Sequence, residues 1–329
     1  MIPMTWRAPL ELCTSMSTSL LPGLSFGHDL SSLPLAGQLL LITDHLASPA
    51  DFILHRTLAL QLKPVHSSSH HPRAILMSIA SDFSHWCAIA AKSNVNLRQH
   101  LKTGSLTYID GLSLSAYPSS KLTATSDADE VGYVRYPPLF GSGNREPSLK
   151  GLYDVVAQSL RGSSDEDVSQ KTLIMDDITL LELIGIPSIA ITRFVRAVHV
   201  LCRRHTAGLV IRAHASPALN ADSGIPFDSD LSRLLIDICH VLIEVRPLAS
   251  GRSGAVSGEL AVHAGVGSFT ERGGKARTGR KGGVQYRLND GGVVFFQKGM
   301  GAGVLYGMGV PVRVAIANPK IRDEVMYHA

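Results

Sequence analysis

Leu39-Leu-Leu-Ile-Thr-Asp-His-Leu-Ala-Ser-Pro-Ala-Asp-Phe-Ile-Leu-His55 is the stretch that decides the fold class. Residues 38–43, QLLLIT, form a short run that is apolar on both faces, the pattern of a strand in a sheet covered on both sides. Ser48, Pro49 and Asp51 then have the chemistry of a helix start. Ser48 is placed to cap, Pro49 suits the first helical position, and Asp51 can return to the cap. The helix is expected to run to about Leu62. A buried strand followed by a tight turn and a helix is the opening unit of an α/β domain.

The same turn limits what the domain can bind. A phosphate-binding loop at such a strand end needs glycines, so that backbone N–H groups can wrap the phosphates. It also needs a lysine to neutralise charge and a Ser or Thr for Mg²⁺. Residues 44–51 contain no glycine and no lysine. Pro49 removes one N–H donor, and the carboxylates of Asp44 and Asp51 oppose an anion at the helix N-terminus. A plain helix start, without triphosphate binding by this turn alone, is the reading the residues support.

Working outward, strands are expected over 74–80, 105–110, 172–177, 209–213 and 241–245, with helices over 83–92, 97–102, 149–160 and 230–239. Residues 187–205 form the longest helix candidate. Ile191, Phe194, Val195, Val198, Leu201 and Cys202 recur at helical spacing, and Arg203, Arg204 and His205 suit its C-terminal dipole. Beyond 245 the helical patterns stop. Residues 259–263, 284–288 and 293–297 read as strands joined by Gly-rich turns. The expected fold is a mostly parallel central sheet flanked by helices, with an antiparallel C-terminal extension. Residues 1–32 read as a poorly ordered arm, 33–299 as the domain, about 113–148 as a surface insertion, and 300–329 as a tail whose order the sequence leaves open.

Composition agrees with one large domain. The 329 residues are 45% hydrophobic and 18% charged, with a formal net charge of +4. That charge is too small to diagnose nucleic-acid binding by itself. Cys13, Cys87, Cys202 and Cys239 form no C-x-x-C pair and have no histidines at zinc spacing, so reduced thiols are expected. No apolar run approaches the roughly 20 residues of a membrane span, and the N-terminus lacks signal-peptide chemistry. A soluble, cytoplasmic and possibly also nuclear protein is expected.

Several groups could carry chemistry. Leu173-Ile174-Met175-Asp176-Asp177 has the form of a strand ending in carboxylates that hold Mg²⁺ or orient a water at a nucleotide site. The plainer reading is a buried strand whose terminal acids meet solvent or cap the next turn. Arg272, Lys275, Arg277, Arg280 and Lys281 lie in a Gly-rich loop that could follow an RNA backbone, or could be a solvated hairpin loop. Arg193, Arg196 and Arg212 could reach across a subunit interface, with ordinary ion pairs as the plainer role. His66, His70 and His71 lack acidic or thiol partners, so no metal site is expected. The chain has no G-x-S-x-G and no H-E-x-x-H.

The Leu39 to His55 stretch also resembles the opening of the sixth subunit of the Elongator complex. Ser81-Asp-Phe-Ser-His85-Trp86, Asn96-Leu97 and Gly104-Ser-Leu-Thr-Tyr-Ile-Asp110-Gly111-Leu112 continue that resemblance. It is most specific over about 36–115 and looser over about 149–299, through Asp176-Asp177, residues 241–251 and residues 286–299. It implies a RecA-like fold without working nucleotide motifs. It also implies a hexameric ring with the fourth and fifth subunits, tRNA as partner, and support of a catalytic subcomplex that modifies wobble uridines. No catalytic residue or cofactor carries over, and ATP would lie only at interfaces with neighbouring subunits. The tail after about Gly299 departs from the family. Two alternatives stay open: a nucleotide-hydrolysing enzyme using Asp176 or Asp177 at a shared interface, and a self-sufficient RNA-binding module.

Overall fold

In the computed structural model, β1 (Leu39–Asp44) is fully buried along its length and lies inside a ten-stranded sheet. The structure describes residues 20–21, 33–63, 73–111, 132–135, 148–161, 171–215, 230–251, 253–268, 284–289 and 292–297. The remaining strands are β2 (Arg73–Ser78), β3 (Leu106–Asp110), β4 (Tyr133–Arg135), β5 (Lys171–Asp176) and β6 (Ala207–His214). They are followed by β7 (Val241–Arg246), β8 (Gly258–Ala264), β9 (Val284–Asn289) and β10 (Gly292–Gln297). Across the sheet the order is β10-β9-β8-β7-β1-β6-β5-β2-β3-β4. The strands from β7 to β4 in that order pair in parallel, whereas β7, β8, β9 and β10 pair antiparallel. The expected α/β class and antiparallel extension are therefore present.

Alternation along β1 explains its doubly apolar sequence. Leu39 and Leu41 enter one core and Leu40 and Ile42 enter the other. The first core is covered by α4 (Lys150–Arg161), α5 (Thr179–Leu183), α6 (Ser188–Arg204) and α7 (Asp230–Ile236). The second is covered by α1 (Asp51–Leu62), α2 (Phe83–Lys92) and α3 (Leu97–Lys102). Leu20 and Leu21 are also buried in this second core, which takes in Leu260 of β8 and Tyr286 of β9 as well. The rest of the expected N-terminal arm and the tail 300–329 lie outside the described residues.

In α6, Ile191, Phe194, Val195, Val198, Leu201 and Cys202 are buried, which matches the periodicity. Three details differ from expectation. The stretch expected as a surface insertion contributes β4, which extends the sheet beyond β3. Too few residues of that strand lie in register to show a period. α5 is five residues long, shorter than any window in which helical spacing repeats. The helix expected over 230–239 ends at Ile236, because Asp237 to Cys239 turn with N–H bonds back to Arg233 and Leu235.

Candidate functional site

Asp44, Asp176 and His214 end β1, β5 and β6, and Arg212 lies two residues before the end of β6. β1 passes over β6 and β5 to reach β2, while β6 leads across β1 to β7. The C-terminal edge at such a divergence is the crevice in which open α/β sheets bind ligands. Here the crevice is filled by the protein's own side chains.

Arg212 is the centre. Its Nε–H donates to Asp44 Oδ2 at 3.0 Å and its Nη1 donates to Asp176 Oδ1 at 3.1 Å. The same Nη1 lies 2.5 Å from Asp51 Oδ1 in the first turn of α1. His214 spans two further acids, with Nδ1 2.6 Å from Asp44 Oδ1 and Nε2 3.1 Å from Asp177 Oδ2. The Ser78 hydroxyl donates to Asp176 Oδ2 at 3.1 Å and accepts from Trp86 Nε1–H at 2.8 Å. Asp177 is held in left-handed backbone with φ 46°. Asp tolerates that region better than most side chains do.

The electrostatics follow from this geometry. Contact with Asp177 and Asp44 raises the His214 imidazole to about 10, so it is a cation at neutral pH. Burial raises the Asp176 carboxyl to about 6, against the opposing pull of Arg212. Burial would also raise Asp44, but His214, Arg212 and the Ala50 N–H outweigh it and hold this carboxyl below its usual value. Four acids thus surround two cations. That balance repels a triphosphate, and the guanidinium that could have met a phosphate is already committed.

The β1–α1 turn differs from expectation in its cap. Ser48 does not cap α1. Asp44 does so at longer range, its Oδ2 accepting the Ala50 N–H at 2.6 Å. Ser48 is instead drawn to the C-terminal extension, within 3.4 Å of both the Ser257 carbonyl and the Tyr286 hydroxyl. Gly258 lets β8 approach this closely, since a Cβ there would lie 2.7 Å from Ser48 Oγ. The antiparallel strands therefore brace the turn that a phosphate loop would occupy.

The sequence-derived candidates fare unevenly. Asp176 and Asp177 are brought together with Asp44 and Asp51, as partners of Arg212 and His214. Arg212 is a buried intramolecular ion partner and does not point out from the domain, whereas Arg193 and Arg196 are exposed on α6. Arg272, Lys275, Arg277, Arg280 and Lys281 lie outside the described residues, as do His66, His70 and His71. Among the described residues no group of three His, Cys, Asp or Glu side chains is placed to hold a metal ion. His214 went unread because a polar residue at a strand end is ordinary. Arg212 carried a signal, since a charge inside a strand with both faces buried needs a partner. Cys202 and Cys239 are buried free thiols, each raised to about 12 by burial, which makes them inert. No helix among the described residues is long and apolar enough to cross a membrane.

Residues 28–290 match the model of a protein family described as Elongation complex protein 6. The chain belongs to this family. Family members named Elongator complex protein 6 include one from Danio rerio, 25% identical over 274 residues, covering 82% of this chain and 93% of that one. One from Xenopus tropicalis is 26% identical over 234 residues, covering 71% and 82%. One from Homo sapiens is 24% identical over 285 residues, covering 82% and 93%. The match spans the strand ends that build the Arg212 cluster. In fold, this family member is also similar to an uncharacterised protein from Pyrococcus horikoshii, crystallised in complex with an unknown peptide. That likeness has a TM-score of 0.51 and 11% identity, and it covers 82% of this chain and 96% of that one.

Proposed function

We propose that this chain is a non-catalytic, RecA-like subunit of the Elongator complex. In this reading it stands in a hetero-hexameric ring with the fourth and fifth subunits, and supports tRNA binding while the catalytic subcomplex modifies wobble uridines in the cytoplasm and nucleus. Family membership supports the placement in Elongator. The observation that carries the non-catalytic part is Arg212 bonded between Asp44 and Asp176 in the crevice where a nucleotide would sit. A strand end closed by its own ion network has no free cation for a phosphate and no uncommitted carboxylate for Mg²⁺. Asp176 and Asp177 are then structural residues, the chain holds no cofactor of its own, and any ATP lies only at interfaces with neighbouring subunits. The tRNA contact is assigned to Arg272, Lys275, Arg277, Arg280 and Lys281, whose Gly-rich cationic sequence suits a phosphate backbone.

The deciding experiment is purification of the full chain from cells. Two further α/β subunits in equal amounts are expected, together with the catalytic subcomplex. A stable monomer without them overturns the ring. Nucleotide titration of the isolated chain tests the other half of the reading. Micromolar ATP affinity that is lost in Asp177→Ala overturns the non-catalytic assignment.

A further inference from the structure

The outward face of α6 has no part in the reading above. Its inward face is the seam of Ile191, Phe194, Val195, Val198, Leu201 and Cys202 already described. On the opposite side Ile189, Arg193, Arg196, Val200 and Arg203 follow one another in steps of four, three, four and three, and all are exposed. At 3.6 residues per turn these five positions fall within about 80° of arc. Alternating steps of three and four are the spacing by which one helix presents a continuous stripe to another. The stripe is about 21 Å long at 1.5 Å per residue.

Its chemistry is unlike an ordinary solvated face. α6 contains four arginines and no acid. Among the described residues Arg193 and Arg196 have no carboxylate partner. On α4 and α5 the acids are engaged elsewhere, Asp154 pairing with Lys150 at 2.6 Å and Glu182 accepting from the Ser188 hydroxyl, while Asp237 beyond α7 lies at the Ile189 end of the stripe. Within the cationic stripe, Ile189 and Val200 are 51% and 49% exposed. At the N-terminal end Ile189 also borders a groove shared with Leu234 of α7. Guanidinium groups are weakly hydrated and pair with carboxylates in a fixed fork, so an Arg-only stripe suits a protein contact.

We infer that this α6 stripe is the docking face for an acidic amphipathic helix of a partner protein, which sets apolar residues on Ile189 and Val200 and carboxylates on Arg193 and Arg196. An RNA backbone matches the charge but leaves the two apolar side chains in water. A helix of about four turns matches both. The inference goes beyond the ring reading and does not depend on it, because family membership does not say which face is covered or by what chemistry.

The test places a photo-crosslinking amino acid at Val200 in the full chain, expressed in cells, and identifies the crosslinked species by mass spectrometry. The expected species is a segment of another protein, rich in Asp and Glu, with apolar residues every three or four positions. The double variant Arg193→Glu/Arg196→Glu should lose that crosslink about tenfold or more with an unchanged unfolding midpoint. Arg193→Lys/Arg196→Lys should keep most of it. Reversing the partner's facing acids should restore it to the Glu variant. A crosslink to RNA, to a basic segment or within the same chain overturns the inference, as does a yield no greater than from a probe at exposed Gln158. Absence of Elongator subunits alongside an acidic-helix crosslink would sink the ring reading and leave this one standing.

Discussion

Asp44 and Arg212, 168 positions apart in the sequence, meet on adjacent parallel strands, where the Arg212 Nε–H donates to Asp44 Oδ2 at 3.0 Å. One carboxylate therefore does two tasks. It holds the guanidinium inside the sheet edge, and the same oxygen accepts the Ala50 N–H that opens α1. The turn that would bind phosphate in a nucleotide enzyme is tied to an internal cation. Stability and the absence of a phosphate pocket then have one physical cause.

Removing the guanidinium should be costly. Arg212→Leu leaves Asp176 buried without its cation and Asp44 with His214 alone, and breaking a buried pair from one side typically costs about 3–5 kcal/mol. Urea unfolding monitored by circular dichroism should show a loss of that size. Because the partners act as one network, Arg212→Leu combined with Asp44→Asn should cost clearly less than the two single losses added together. Strict additivity would mean the two side chains do not depend on each other.

His214 should give the protein an alkaline weakness. Its folded value of about 10 lies above the ordinary 6.5, so the stabilisation it contributes is complete below about pH 6.5 and is lost as pH rises through 10. Urea midpoints measured from pH 7 to 10 should therefore fall faster for the natural chain than for His214→Asn, with the two curves converging near pH 10. Asp177 is the largest cause of the shift, so Asp177→Asn should move the His214 imidazole titration, followed by NMR, to clearly lower pH. Equal slopes for the two proteins would remove His214 from the network.

How much of this was legible varies with the residue. The strand at 38–43 could be placed because an apolar run that alternates between two cores has no polar face to confuse it. α6 could be placed because seventeen residues repeat the helical period several times. The capping role was misread, since Ser48 fits a local rule while its actual partners come from Ser257 and Tyr286, more than 200 positions away. Asp176 and Asp177 could be noticed, but not what they do, because the cation that claims Asp176 arrives on a strand 36 residues later. Sequence spacing does not encode which strand lies beside which.

Asp44 and Asp176 should respond differently to neutralisation. Asp44 is held below its usual carboxylate value by its surroundings, so its ionised form stabilises the fold above about pH 4, and that contribution fades as pH falls. Asp176 is raised to about 6 by burial, so ionising it opposes folding, and the opposition is complete only above that pH. At pH 7 Asp44→Asn should therefore lower the urea midpoint more than Asp176→Asn does. At pH 4.5 Asp176→Asn should lose its relative advantage, because the folded chain already carries this carboxyl protonated. The reverse order at pH 7 would contradict the assigned environments.

Gly258 offers a way to disturb the turn without touching a charge. A methyl group there would lie 2.7 Å from Ser48 Oγ, 2.8 Å from the Arg246 carbonyl oxygen and 2.8 Å from the Tyr286 hydroxyl, all inside contact distance. Two of those neighbours are hydroxyls that can move. The third is backbone of β7, held by its pairing with β8. Gly258→Ala must therefore push β8 or the Ser48 turn outward, at about 1–3 kcal/mol for an overpacked site. Tyr286→Phe removes a 3.4 Å hydrogen bond and keeps the ring against Phe52, so it should cost about 1 kcal/mol or less. Placing Tyr286→Phe in the Gly258→Ala background should recover only part of the loss, because the Arg246 carbonyl remains. Hydrogen exchange locates the effect. The Ala50 amide, protected by the Asp44 carboxylate, should exchange faster in Gly258→Ala while amides in the middle of α1 do not change. Uniform acceleration along α1 would instead mean that the C-terminal strands support the whole helix, and would remove their specific hold on the turn.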